Sequence, residues 1–102
     1  MSQNYKVCSL DEIPVNRTKI FDVEGTNIQL TRIDDKVYAF EDMCSHEELS
    51  IGERIVFGGE IQCPRHGAKF EVATGKATGL PAVMPLKTFE VTIEDNDVFI
   101  AK

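Results

Sequence analysis

A chain of 102 residues is the size of one domain, and on folding such a chain buries roughly 60–70% of the surface it exposes unfolded. Its 17 acidic and 11 basic side chains give a formal net charge of −6, which argues against nucleic acid and anionic membranes as partners and for a basic docking face on another protein. No apolar run approaches the roughly 20 residues of a membrane span, Met1 to Lys6 lacks the apolar core of a signal peptide, and three cysteines cannot all pair, so the expectation is a cytoplasmic domain without a disulfide framework.

In chain order, residues 5–8 read as a first strand, with Cys8 acting as a small buried hydrophobe. Ser9-Leu10-Asp11-Glu12 has capping-box spacing, and Pro14 stops any helix after about one turn. A second strand covers 19–23. Residues 28–33 and 37–40 flank Asp34-Asp35-Lys36 as a hairpin, and 55–57 and 60–63 flank Gly58-Gly59 as another. Phe89, Val91 and Ile93 alternate with Glu90, Thr92 and Glu94, as one half-buried strand should. Asp95-Asn96 then makes a two-residue turn needing positive φ, before a strand over 97–100. No stretch sustains a helical repeat for three turns. The predicted fold is all-β, a sandwich or small barrel of short antiparallel strands.

Two short motifs interrupt this pattern: Cys44-Ser45-His46 and Cys63-Pro64-Arg65-His66. They contain both histidines of the chain and two of its three cysteines. The first follows the strand ending near Phe40, and the second begins where the Gly58-Gly59 hairpin returns at Cys63. Each loop thus leaves a strand edge, and the two can close on a metal from opposite sides. Zinc accepts a Cys2His2 set tetrahedrally. Zinc fingers, however, usually place two Cys before two His, whereas each loop here carries one of each. That arrangement suits a binuclear [2Fe–2S] centre with both thiolates on one iron and both imidazoles on the other. Spacing favours iron–sulfur and leaves zinc open. No histidine remains for a second iron held by two His and a carboxylate, nor for a catalytic triad, which points to a carrier rather than an enzyme.

Cys44-x-His46 and Cys63-x-x-His66-Gly67 resemble the two boxes of the Rieske iron–sulfur family. The stretch from Cys63 through Phe70 and Gly75 to Lys76 is similar to the second box almost throughout. Leu49-Ser50-Ile51-Gly52 resembles the segment closing the first loop, and residues 79–85 stand where the family has a proline-bearing cover. The resemblance implies one domain over residues 1–102, a Rieske-like antiparallel sandwich whose cluster-binding part spans approximately 42–86. It implies one Rieske-type [2Fe–2S] cluster, with Cys44 and Cys63 on the inner iron and His46 and His66 on the outer one. The first loop departs from the pattern by being short between His46 and Leu49.

High-potential members carry a disulfide where this chain has Leu49 and Arg65, and serine and tyrosine hydroxyls where it has Ala68 and Phe70. The resemblance therefore implies a low-potential one-electron carrier of the type serving bacterial aromatic-ring-hydroxylating dioxygenase systems. Such a protein is not an enzyme: as a monomer it would take electrons from a flavin-dependent NAD(P)H reductase and pass them to a terminal oxygenase. Two alternatives stand beside this reading, a small Rieske subunit of an NAD(P)H nitrite reductase or other redox complex, and a structural zinc-binding interaction module.

Around the first box, Glu41, Asp42, Glu47, Glu48 and Glu53 form either a solvated face or a set that steers a basic partner. Pro81, Met84 and Pro85 form either a lid over the cluster or an irregular surface loop. Arg65, between two ligands, receives no role.

Overall fold

The computed structural model describes residues 3–43, 50–64, 67–79 and 84–102. Ten strands follow in order: β1 (Asn4–Ser9), β2 (Lys19–Val23), β3 (Thr26–Ile33), β4 (Lys36–Glu41), β5 (Glu60–Gln62), β6 (Lys69–Glu71), β7 (Ala77–Gly79), β8 (Thr88–Phe89), β9 (Val91–Glu94) and β10 (Asp97–Ala101). They build three antiparallel sheets, ordered β1-β10-β9, β2-β3-β4-β8 and β5-β6-β7. The only helical element among the described residues is a single 3-10 turn, Leu10–Glu12. Its start is held by Glu12, whose Oε2 accepts from the Ser9 N–H at 2.8 Å and from Ser9 Oγ at 3.2 Å. The capping-box expectation is met.

The β2-β3-β4-β8 sheet is buried on both faces, and the alternation of β3 and β4 assigns each residue to one of two cores. Ile28, Leu30 and Ala39 join Cys8, Val23, Phe89, Val98 and Ile100 in the core shared with the β1-β10-β9 sheet. Phe40 points the other way, into a core with Ile51, Val56, Ile61, Cys63, Ala68, Phe70, Val72 and Leu86. On that same side of β3 stand Gln29, paired with Phe40, and Thr31, both fully buried. Gln29 and Thr31 are thus polar side chains buried in the middle of β3, on the face that packs against the Phe40 core.

The Asp95-Asn96 turn adopts the expected positive φ, 55° at Asp95, and Asp34 has the same value; the first hairpin turn is two residues and not three, because Lys36 already pairs with Ile33 as the start of β4. Two other expectations are corrected. Residues 55–57 form no strand: Ile55 makes an isolated bridge with Arg17 and Phe57 one with Glu60. The Gly58-Gly59 turn itself is present, closed by reciprocal Phe57–Glu60 backbone bonds of 2.9 and 3.1 Å. The run from Phe89 to Glu94 is two strands in different sheets. Phe89 pairs with Ala39 of β4, whereas Val91 pairs with Ile100 of β10, and Glu90 is where the chain crosses. An alternating pattern cannot reveal such a crossing, because Phe89 and Val91 pack against the same core; Ile93, of the same parity, is 41% exposed, which corrects its half-buried reading.

Candidate metal centre

Each motif begins where a strand ends. β4 stops at Glu41, and Asp42 and Met43 lead into the first motif; β5 stops at Gln62 and Cys63 follows directly. Of the four candidate ligands, Cys63 is described, whereas Cys44, His46 and His66 lie outside the described residues, as do Glu47, Glu48, Leu49, Arg65 and Pro81. Cys63 is 2% exposed and carries a free thiol. Its N–H donates to the Ala68 carbonyl at 2.7 Å, and its carbonyl accepts from the Gly67 N–H at 3.1 Å. The second loop therefore closes tightly on itself, with Cys63 at its base.

The flanks of the first loop are equally fixed. Asp42, grouped with acidic residues read either as a solvated face or as a set that steers a basic partner, is 7% exposed, which corrects both readings for this residue. Its Oδ1 accepts from the Ile51 and Gly52 N–H groups, each at 3.0 Å, and from Gln29 Nε2 at 2.6 Å. Ser50 Oγ donates to its Oδ2 at 2.6 Å. Four donors compensate the desolvation of this carboxylate, which is what a buried carboxylate requires. Sequence reasoning missed the role of Gln29, because polar residues alternate with apolar ones along β3 and Gln29 falls at a position that a one-sided sheet would expose. Glu53 is also engaged, its Oε2 accepting from the Ile20 N–H at 2.9 Å.

A third segment approaches the same core. Leu86 is buried beside Ile51 and Cys63, and its N–H donates to the Gly75 carbonyl at 2.7 Å. Just before it, Met84 and Pro85 are exposed. The stems of both ligand-bearing loops and of the proline segment thus converge on one apolar base formed by Ile51, Cys63, Ala68 and Leu86. Beside Cys63 and Pro64 opens a groove of about 880 Å³, whose lining includes Arg17, Lys19 and Arg54.

This base fits an iron–sulfur cluster. Cys63 presents a buried sulfur in an apolar setting, a donor of the soft kind that iron–sulfur clusters take. In the other core, burial pushes the Cys8 thiol up to about 11, with Glu12 reinforcing and Lys19 opposing the shift. Cys8 belongs to the other core and is a packing residue.

Residues 3–90 match the Rieske [2Fe–2S] domain family. The 3-phenylpropionate/cinnamic acid dioxygenase ferredoxin subunit of Photorhabdus laumondii is 39% identical over 102 residues, covering 98% of this chain and 94% of that protein. Among solved structures, the ferredoxin of carbazole 1,9a-dioxygenase from Nocardioides aromaticivorans IC177 superposes with a TM-score of 0.85 at 32% identity, over 96% of each chain. A ferredoxin seen in complex with the oxygenase of carbazole 1,9a-dioxygenase gives a TM-score of 0.86 at 32% identity, over 96% of this chain and 92% of that one. No helix among the described residues is long and apolar enough to cross a membrane. With this likeness over nearly the whole chain the zinc reading falls away, and the chain belongs to the Rieske [2Fe–2S] domain family as a ferredoxin, an electron carrier with a Rieske-type cluster and not itself a catalyst.

Proposed function

We propose that Cys44 and Cys63 hold the inner iron of the cluster and His46 and His66 the outer one, within a single domain whose cluster-binding part spans approximately 42–86. When bound, the cluster supplies one-electron redox chemistry. The observation carrying this reading is the convergence of the two loop stems, Asp42 to Gly52 and Cys63 to Ala68, on one apolar base. Cys63 supplies its ligand from beneath, and burial there excludes water from the sulfur side.

The chain acts as a monomeric shuttle in the cytoplasm, taking electrons from a flavin-dependent NAD(P)H reductase and delivering them to a terminal oxygenase. Support for the oxygenase comes from the related ferredoxin captured with such a partner. Its potential lies at the low end of the Rieske range, about −150 mV. Ala68 and Phe70 support this, because both are buried against the base beside Cys63 and neither offers a hydroxyl donor to the cluster sulfurs.

The test is absorbance and EPR of the purified protein, as isolated and after dithionite. The expected result is a brown protein whose reduced signal has the low average g value of mixed Cys/His ligation, lost in His66→Ala. A protein that binds zinc and no iron after anaerobic purification would overturn the reading.

A further inference from the structure

The hydrogen bonds of Asp42 do more than satisfy a buried carboxylate. Asp42 precedes residues 44–49, and Ser50, Ile51 and Gly52 follow them, so one side chain ties together both ends of the first ligand-bearing segment. That side chain is braced in turn on β3. Gln29 Nε2 donates to Asp42 Oδ1 at 2.6 Å and to the Gly52 carbonyl at 2.8 Å, while the Asp42 N–H donates to the Asn27 carbonyl at 2.9 Å. The segment is therefore closed by a carboxylate clamp mounted on the most buried strand of the molecule. Among the described residues, the only ion pair is Lys6–Asp97, so the partners described for Asp42 are neutral donors and its negative charge has no described counter-charge.

We propose that Asp42 is the positioning residue of the first ligand loop: its four hydrogen bonds fix where the loop leaves and rejoins the fold, and its buried charge, two residues from Cys44, favours the oxidised cluster. This inference rests on the proposed ligand set. A negative charge held in a site of low dielectric resists addition of an electron nearby. Removing the charge while keeping the acceptor geometry separates the two effects. Asparagine does this, because its carbonyl can still face Ile51, Gly52 and Gln29 while its NH2 meets Ser50 Oγ, a hydroxyl that can also accept.

The experiment uses the cluster-loaded protein and its Asp42→Asn, Asp42→Ala and Gln29→Met variants. Asp42→Asn is expected to retain its iron and the parental g values while its midpoint potential rises. Asp42→Ala is expected to release iron to a chelator about tenfold faster or more, within the range common for residues that support metal ligands, and to show shifted or broadened g values. Should Asp42→Ala fail to fold, Gln29→Met removes the bonds to Asp42 Oδ1 and to the Gly52 carbonyl while leaving the three other donors to Asp42, and should speed iron release in the same direction. Parental g values and parental chelator resistance in Asp42→Ala, or in Gln29→Met where Asp42→Ala does not fold, would overturn the clamp, and an unshifted midpoint in Asp42→Asn would overturn the charge effect. A parent protein lacking the Rieske signal overturns the ligand reading and this proposal with it; a parent with the signal and an indistinguishable Asp42→Ala overturns this proposal alone.

Discussion

Gly75 anchors the segment that approaches the cluster base from below, and substituting it should be far more damaging than substituting a glycine of the same backbone geometry elsewhere. Its φ is +79°, close to the +83° of Gly25 in the β2–β3 turn. Alanine at either position meets the left-handed strain of a non-glycine residue, about 1 kcal/mol at the low end of the usual range. At Gly25 nothing lies within 4 Å of the added Cβ, so that strain is the whole effect. At Gly75 the Cβ would stand 2.4 Å from the Leu86 carbonyl oxygen and 2.9 Å from Thr88 Cγ2. The oxygen is backbone and cannot swing away. Moreover, Leu86 is tied to Gly75 by its N–H at 2.7 Å, and the Gly75 N–H donates to the Glu71 carbonyl at 2.7 Å. Relief requires the chain around Leu86 to shift, an overpacking cost of about 1–3 kcal/mol.

Gly75→Ala should therefore lose about 3 kcal/mol against about 1 for Gly25→Ala. For a domain of this size that places the two melting temperatures roughly 8–16 °C apart. The assay is thermal unfolding of both variants and the parent at one scan rate, following circular dichroism and cluster absorbance together. Cluster absorbance should fade early in Gly75→Ala, because Leu86 packs in the same core as Cys63. Equal losses in the two variants would show that the Leu86 region yields freely and would refute the steric argument.

Other outcomes follow from the same reasoning. Because burial holds the Cys8 thiol at about 11 against 9.0, the unfolded chain ionises first, so stability should fall as pH rises from about 9 to about 11; pH-dependent melts of the parent and Cys8→Ala check this, and a Cys8→Ala curve of the same slope would refute it. Cys8 should also resist thiol reagents at pH 8 until the protein unfolds. Ala68→Ser, and with it Phe70→Tyr, should raise the midpoint potential by on the order of 65–130 mV per hydrogen bond gained, the one-electron equivalent of a bond to a charged group; an unchanged redox titration would sink the explanation. With a net charge of −6, association with a basic partner should slow steeply as salt increases, and Glu47→Lys or Glu48→Lys should slow it further; stopped-flow rates insensitive to salt would mark those residues as a solvated face.

The local signals in the chain were legible where one element decides its own geometry. The β2 boundaries, the Ser9–Glu12 cap and the turn at Asp95 depend on residues within a few positions of one another, and each appears as read. Failures came where a distant partner decides. Ile55 looked like part of a hairpin because Gly58-Gly59 follows, yet its backbone partner is Arg17. Phe89 and Val91 share a parity and a sequence neighbourhood, yet they pair with Ala39 and Ile100 in different sheets. Asp42 looked like one more surface acid among several, and its burial rests on Gln29, a residue of another strand.

By itself, then, the sequence determined the chemistry available to this protein. Two cysteines and the only two histidines are shared evenly between two short motifs, the residue types of a mixed thiolate and imidazole set. Ligand type is a property of individual side chains and needs no fold to be read. Tertiary structure decided which buried polar groups join the two flanks of the first motif: Gln29, Asp42 and the Ser50–Gly52 segment share hydrogen bonds only when β3 and the end of β4 are brought together. Hydrogen-bond satisfaction of a buried carboxylate is a property of the assembled site, and it depends on donors far apart in the chain that only packing makes adjacent.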